Sequence, residues 1–438
     1  MDKLKQIIKN KELLKKIAFV LFILFIFRVA AHVPAIGPDP RTVKDFLSEV
    51  FAKSSVLSFL DIFSGGGVSR FSVVMMGLGP YITASIMIQL LTMVIPKLEA
   101  ISKEPGEEGQ RKLNQYSRYL AVPLSFIEGY GAIRFLQYSS AQVGKSFLSN
   151  LTIWQWGLML LSITAGTMFL MWLGELITEK GIGNGISMII FAGIVAKLPQ
   201  SIGEALQKSF IPQFDSGELT KQLGIISLIM IVVVAVIVVT EGQRKLPISY
   251  AKRMRGDKLY GGIESFLPIR LNMAGVIPII FAGAFMNIPT VIGFLSQAKN
   301  QAIAHATDWV QKTFSPQSLP YAIAFFVLVF AFTFFSSFLY FKPKDVAENL
   351  QKNGGFIPGI RPGTQTEKYL SWLINRTTLW GAMFLGLIAV LPFLLQLYLK
   401  TGNLMIGGTG LLIVVGVAIE VKNQIEAQII TRSYENIR

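Results

Sequence analysis

Apolar runs recur from one end of the chain to the other, separated by polar or basic segments. A bilayer core about 30 Å thick is crossed by about 20 apolar residues of helix. Ten segments are predicted as spans, some of them shorter than that: Ile17–Ala31, a broken second span ending at Val94, Tyr119–Tyr138, Trp154–Leu176, Gly185–Leu198, Leu223–Thr240, Leu271–Leu295, Leu319–Phe341, Thr377–Leu399 and Met405–Val421. The sixth is rich in β-branched residues, but its length marks a membrane helix rather than a strand.

The second span departs from this pattern. It opens with the apolar piece Phe59-Leu60-Asp61-Ile62-Phe63, stops at Ser64-Gly65-Gly66-Gly67, restarts at Phe71 and runs apolar to Val94, interrupted by Pro80. Each glycine costs a helix roughly 1 kcal/mol relative to alanine, so the helix is expected to stop there and leave a flexible joint. Non-helical backbone at membrane depth survives only where it is buried in protein or lines a water-filled cavity, which points to a pore.

Composition agrees with the pattern. Of 438 residues 52% are hydrophobic and 15% charged, against about 25% charged in soluble domains, and the mean hydropathy is +0.52. The class is an all-α polytopic membrane protein. The chain has no cysteine, which removes disulfides and thiolate chemistry. Its N-terminal lysines followed by Ile17–Ala31 also fit a secretory signal peptide, but Arg28 interrupts the run and many spans follow, so a first span with a cytoplasmic tail fits better. An even number of spans puts both termini on one side. By these boundaries roughly 28 of the 41 Lys and Arg lie on that side and roughly 10 on the other, which makes it the cytoplasmic side and explains most of the net charge of +15 without nucleic acid.

The organisation read from this is a cytoplasmic tail over 1–16, a first half over 17–205, a second half over 206–428 and a cytoplasmic tail over 429–438. The piece about 58–68 interrupts the first half; cytoplasmic loops about 243–270 and 342–372 belong to the second. Pro199–Gln222 reads as a polar linker between the halves. Five spans on each side of it make the halves inverted, an arrangement that places a pathway between them near the midplane.

Catalytic chemistry is not expected. Metalloprotease, nucleophile-elbow and phosphate-loop motifs do not occur. Gly144-Lys145-Ser146 lacks the upstream glycine of a phosphate loop, Ser139 standing there, and Gly181-Ile182-Gly183-Asn184-Gly185 lacks the strand before a dinucleotide fingerprint. No catalytic residue, cofactor or metal site is predicted. An ion-coupled transporter is the alternative and needs an intramembrane acid. Asp61, Glu128, Glu175 and Glu420 are the candidates, each more readily explained by pairing or solvation, with Arg134 the expected partner of Glu128.

Several segments together resemble the SecY family, the channel subunits of the bacterial protein-secretion translocon. They are Phe63-Ser-Gly-Gly-Gly67, Gly79-Pro-Tyr-Ile-Thr-Ala-Ser-Ile86 with Ile88-Gln-Leu-Leu91, Gly166-Thr-Met-Phe-Leu-Met-Trp-Leu-Gly-Glu175, Gly181-Ile-Gly-Asn-Gly-Ile-Ser187, Asn272-Met-Ala-Gly-Val-Ile-Pro278, Phe356-Ile-Pro-Gly-Ile-Arg-Pro-Gly363 and Gly408-Thr-Gly-Leu-Leu-Ile413. They cover the chain in order. The resemblance implies a protein-conducting channel that also releases signal and membrane segments sideways into lipid.

It further implies roles for residues. Phe59, Leu60, Asp61, Ile62 and Phe63 match a plug, with Ser64, Gly65, Gly66 and Gly67 as its hinge. Leu78, Ile82, Ile186, Ile190, Ile280 and Ile413 match an apolar ring at the waist; Leu78 stands where isoleucine is usual. The pairs 78/82 and 186/190 are four apart, on one helix face each. Such a constriction dewets and blocks ions. Thr83, Ile86, Gln89 and Asn272 match a lateral gate between the second and seventh spans, where interhelical hydrogen bonds of about 0.6 kcal/mol would make a weak latch.

Around the long loops, Arg244, Lys245, Lys252, Arg253, Arg255, Lys258 and Arg361 match the surface that receives a SecA motor or a ribosome. Small SecE-like and SecG-like membrane subunits, signal peptides, nascent chains and the lipid of an inner membrane complete the implied partners. An insertase or scaffold without a pore is a third reading, and it leaves the triple glycine and the apolar ring without a role.

Overall fold

The computed structural model describes residues 10–36, 61, 64–104, 108–142, 152–210, 216–250, 253–255, 258–260, 264–273, 275–295, 318–399 and 408–435. In chain order the elements are α1 (Lys11–Ala30), α2 (Gly79–Val94), α3 (Pro96–Ser102), α4 (Glu108–Gln142), α5 (Ile153–Lys180), α6 (Gly185–Phe210) and α7 (Ser216–Glu241). There follow β1 (Gln243–Tyr250), β2 (Arg253–Arg255), β3 (Lys258–Tyr260), β4 (Glu264–Arg270), α8 (Ile277–Leu295), α9 (Leu319–Tyr340), α10 (Pro343–Lys352), β5 (Gly355–Phe356), α11 (Thr364–Leu399) and α12 (Gly408–Glu435).

A helix lies over each stretch read as a span. Three helical segments, Ile153–Lys180, Leu319–Lys352 and Thr364–Leu395, are by themselves long and apolar enough to cross a membrane; α2 and α3, bent by 107°, pass the same test as a pair. Local sequence sets the starts. Asn10 caps α1, its side-chain oxygen accepting from the Leu13 N–H at 3.3 Å. Thr152 and Gln155 bond reciprocally at the start of α5, a capping box. Ser318 caps α9, with Pro320 in its first turn.

The helices pack around one large apolar cluster to which α1, α2, α5, α6, α8, α9, α11 and α12 all contribute. Aromatic rings lock α8, α9 and α11 together: Phe281 meets Phe332 at 5.9 Å and Phe393 meets Phe325 at 5.5 Å, both edge-on. The outer surface is apolar too, with Phe25, Met230, Val238, Val327 and Leu387 exposed. A helical body that is apolar both inside and out uses lipid as its solvent; this is a multi-pass membrane protein.

The structure revises several expectations. The second span does not resume as helix at Phe71. Residues 64–78 form a chain of turns, because Phe71 and Gly77 take positive φ (49° and 57°) and the backbone of this segment bonds elsewhere. Ala35 N–H donates to the Phe71 carbonyl at 2.8 Å, and Val73 N–H to that of Val33 at 2.9 Å. The helix begins only at Gly79, with Pro80 in its first turn. Likewise the described residues 271–273 and 275–276, which precede α8, are not helical, Gly275 having φ 63°. The polar linker 199–222 is largely helical, as the ends of α6 and α7, and α12 continues as helix to Glu435.

The two segments expected as long loops contain regular structure among the described residues. β1 pairs antiparallel with β4, Leu246 opposite Leu267, and with β5, Ser249 opposite Phe356, giving a sheet in the order β4-β1-β5. Its inner face supplies Leu246 and Ile269 to a separate core with Ile357, Leu370 and Leu373. A second, two-stranded pairing of β2 with β3 sets Arg255 opposite Lys258. The described spans themselves are helices, entered through turns before α2 and α8.

Candidate functional site

The six residues matched to the waist arrive from four helices. Leu78 caps α2, its carbonyl accepting from Ile82 N–H at 3.0 Å, so both project from the same first turn. Ile186 and Ile190 lie at the start of α6, which is fixed by Asn184: its side-chain oxygen accepts from Ile186 N–H and Ser187 N–H at 3.1 and 3.2 Å. Ile280 comes from the first turn of α8 and Ile413 from the second turn of α12. Leu78, Ile82, Ile190, Ile280 and Ile413 are all buried in the large cluster and Ile186 packs against it. The six thus belong to one apolar cluster.

The plug region is partly visible. Phe59, Leu60, Ile62 and Phe63 lie outside the described residues. Asp61 and residues 64–70 make a compact turn in which Ser64 Oγ donates to the Asp61 carbonyl (3.2 Å) and accepts from Gly67 and Val68 N–H (3.1 and 3.2 Å). Asp61 Oδ1 accepts from Ser69 N–H at 2.7 Å. The glycines, expected as a flexible joint, are here a tightly packed corner. Gly65 and Gly66 have φ of 66° and 91°, which favours glycine. A Cβ on Gly65 would fall 2.7 Å from the Phe27 ring and 3.1 Å from Gly193 Cα. Arg28 Nη1 donates to the Gly65 carbonyl at 2.9 Å, and Asp61, almost fully buried, is ion-paired with Lys197 of α6.

At the expected gate, α8 packs against both α2 and α4. Ile86 is buried between them. The polar members bond locally, Thr83 Oγ1 to the Gly79 carbonyl (3.1 Å), Gln89 Nε2 to Ser85 Oγ (3.4 Å) and Asn272 Nδ2 to the Gly275 carbonyl (2.9 Å), and Thr83 also meets the Glu128 carboxylate of α4. Among the described residues no hydrogen bond joins Gln89 to Asn272, because Asn272 sits in the turn before α8 rather than on the helix. Its Oδ1 is buried with no hydrogen-bond partner.

Of the other acids, Glu128 does not face Arg134. Its carboxylate lies beside Thr83 and Gly79 of α2, whereas Arg134 bonds Tyr130 Oη at 2.9 Å and stacks over the Tyr130 and Trp156 rings. Glu175 pairs with Arg118 of α4 at 2.6 Å, and Glu420 lies near Arg270. Sequence reading passed over Lys197; a lone lysine inside the short apolar run of the fifth span was the available signal.

Among the residues expected to face the cytoplasm, Arg244 and Lys245 stand exposed on β1. Arg253, Arg255 and Lys258 fall in β2 and β3, and Lys252 and the Gly144–Ser146 segment lie outside the described residues. Arg361 is exposed at a corner made by Gly359 and Gly363 (φ 82° and 97°), its carbonyl accepting from Thr366 Oγ1 at 2.9 Å. Between α2 and α4, Lys103 holds the Glu99 carboxyl below its usual range and Glu104 raises the Lys112 ammonium; exposed pairs like these add little to stability. Gly183 N–H donates to Gln424 Oε1 at 2.6 Å, tying the extension of α12 to the turn before α6.

The helical body is apolar on its outside, and the six residues share its one large apolar cluster. Comparison with known proteins agrees. The SecY family profile matches residues 72–422. Protein translocase subunit SecY of Streptomyces coelicolor is 39% identical over 437 residues (98% of this chain, 97% of the relative), and that of Aquifex aeolicus 40% over 433 (99% and 98%). The chain belongs to the SecY family. Its fold matches a solved structure described as that of a protein conducting channel, with TM-score 0.65 and 17% identity over 94% of this chain and 91% of the other. It also matches Sec61 in a canine ribosome–channel complex from the endoplasmic reticulum, with TM-score 0.63 and 16% identity at the same coverage.

Proposed function

We propose that this chain conducts unfolded secretory polypeptides across an inner membrane through the waist of Leu78, Ile82, Ile186, Ile190, Ile280 and Ile413, and releases signal and membrane segments between α2 and α8. The observation that carries this is that those six side chains, from four helices, share one apolar cluster, which also holds Phe27, the ring against Gly65. Aliphatic side chains close on one another when the path is empty and mould around a passing chain without binding it tightly. Ten spans in two inverted halves with both termini in the cytoplasm fit the asymmetry of basic residues. The exposed bases on β1 and near Arg361 are suited to a SecA-type motor or to ribosomal RNA, which a salt-sensitive affinity would reveal. SecE-like and SecG-like subunits would cover part of the apolar outer surface.

The test is crosslinking of a stalled secretory chain to a photoreactive residue at Ile82, Ile190 or Ile280, with the exposed Ile231, Val234 and Val238 of α7 as controls. Crosslinks at the first three alone are expected. Their absence, with the chain demonstrably engaged, rejects a central path and brings the ion-coupled transporter forward.

The gate adds a second expectation. An unpaired buried oxygen costs about 1–3 kcal/mol, so Asn272→Leu relieves the closed arrangement and raises the hydrophobicity a signal needs. In a series of signals with graded leucine content, marginal ones lose export while strong ones keep it; an unchanged threshold refutes the role of Asn272.

A further inference from the structure

The glycine-rich motif that leads into α6 is held from two sides. Gly185 N–H donates to Thr178 Oγ1 of α5 at 2.9 Å, and that hydroxyl donates in turn to the Gly174 carbonyl at 3.0 Å. From the other side, Gly183 N–H donates at 2.6 Å to Gln424 Oε1 of α12, 241 positions further along the chain. Gly183 takes φ 86°, and a Cβ there would lie 3.4 Å from Val421 Cγ2, so α12 also packs a side chain on the motif. Gln424 is itself pinned by its neighbours. Lys422 pairs at 2.5 Å with Glu241, the last residue of α7, and Glu420 lies near Arg270, the last residue of β4. Leu271 N–H, next along, donates to the Gly242 carbonyl at 2.8 Å. The end of α12 therefore bridges the start of α6 to the junction of α7 with the sheet.

We infer that Gln424 is a positioning residue for the waist: through the Gly183 N–H it fixes where α6 begins, and with it the places of Ile186 and Ile190. The inference rests on the reading of the waist as the conducting path. Asn184 follows Gly183 directly and caps α6 through the Ile186 and Ser187 N–H groups. Ile186 and Ile190 lie within the first two turns of that helix, so a shift of the motif carries both of them. The Lys422–Glu241 pair is exposed and adds little by itself; its part is to hold this stretch of α12 where Gln424 reaches Gly183. The contact uses the carboxamide oxygen as acceptor. A carboxylate at the same position can still accept from Gly183, and a leucine of similar size cannot.

The test uses the absence of native cysteine. Ser187→Cys, buried in the first turn of α6, reports the seating of that turn by its rate of alkylation with a small water-soluble maleimide in reconstituted full-length protein. Gln424→Leu is expected to raise that rate roughly fivefold, the worth of one hydrogen bond, and Gln424→Glu to leave it at the parent value. Gln428→Leu, one turn further on, where the side chain makes no hydrogen bond among the described residues, should also match the parent. A companion Ala389→Cys reporter, fully buried on α11, should stay protected in every variant. An unchanged rate in Gln424→Leu, an equal rise in Gln424→Glu or Gln428→Leu, or a parallel rise at Ala389→Cys would each overturn the positioning role. Chloride flux through vesicles of the same variants without the reporter is read separately. Flux that rises with the Gln424→Leu rate supports both readings, whereas a faster reporter with parent-like flux upholds the tie and rejects the waist as the seal.

Discussion

Vesicles carrying the Ile190→Asn/Ile280→Asn protein are expected to leak chloride roughly tenfold or more faster than vesicles with the parent chain, by analogy with the sharp wetting of apolar constrictions. Ile190 and Ile280 are 1% and 6% exposed, on α6 and α8, inside the cluster that also holds Leu78, Ile82 and Ile413. Two amides there cannot be satisfied by aliphatic neighbours. An unsatisfied buried polar group costs about 1–3 kcal/mol, and the cheapest remedy is to admit water. Once water threads the waist, ions follow. The control is Ile231→Asn/Val238→Asn on the exposed face of α7, which puts the same amides against lipid. A chloride flux no greater than that control would mean the six residues are ordinary core and the seal lies elsewhere.

What the sequence made legible was the placement of helices and the fact of a break. Hydrophobic runs located a helix at each expected span, since in lipid every backbone group has to be satisfied within a helix. The triple glycine marked a non-helical segment before α2. Its extent was hidden, because the apolar residues from Phe71 to Leu78 look the same whether they form helix or bury their side chains from a string of turns. Phe71 with φ 49° is held there by Val33 and Ala35, partners some forty positions away that no local pattern reveals. The glycine joint was read as freedom; packing against Phe27 and Gly193 turned it into a fixed corner. The sheet was missed for a different reason. Lys245-Leu246-Pro247-Ile248 and Phe266-Leu267-Pro268-Ile269 do alternate, which is the strand signal, but prolines and charge made them look like loop. Among the residues expected at a gate, Asn272 bonds its own turn, a geometry that its residue type alone does not reveal. Lys197 stood in plain view as an intramembrane charge, and only its meeting with Asp61 gives it meaning.

The tightest constraint on the waist is a glycine that touches no passenger. Gly185 opens α6, its N–H donating to Thr178 Oγ1 at 2.9 Å. A Cβ there would overlap the Gly174 carbonyl oxygen of α5 and lie 2.8 Å from Ile177 Cβ. Neither can yield without unwinding α5, so α6 has to retreat, taking Ile186 and Ile190 with it. Overpacking of this kind costs typically 1–3 kcal/mol, occasionally more. Gly185→Ala is therefore expected to lower the apparent melting temperature in detergent and to open the waist to chloride. Gly203→Ala and Gly224→Ala are the counter-case: both sit in helices, with nothing within 4 Å of the added methyl. Alanine there should stabilise by about 0.5–1 kcal/mol through helix propensity alone. Equal melting of Gly185→Ala and Gly224→Ala would show that α5 and α6 do not cross this closely. Opposite shifts would show that the ring is held in register by the closeness of two backbones, a contact only glycine allows.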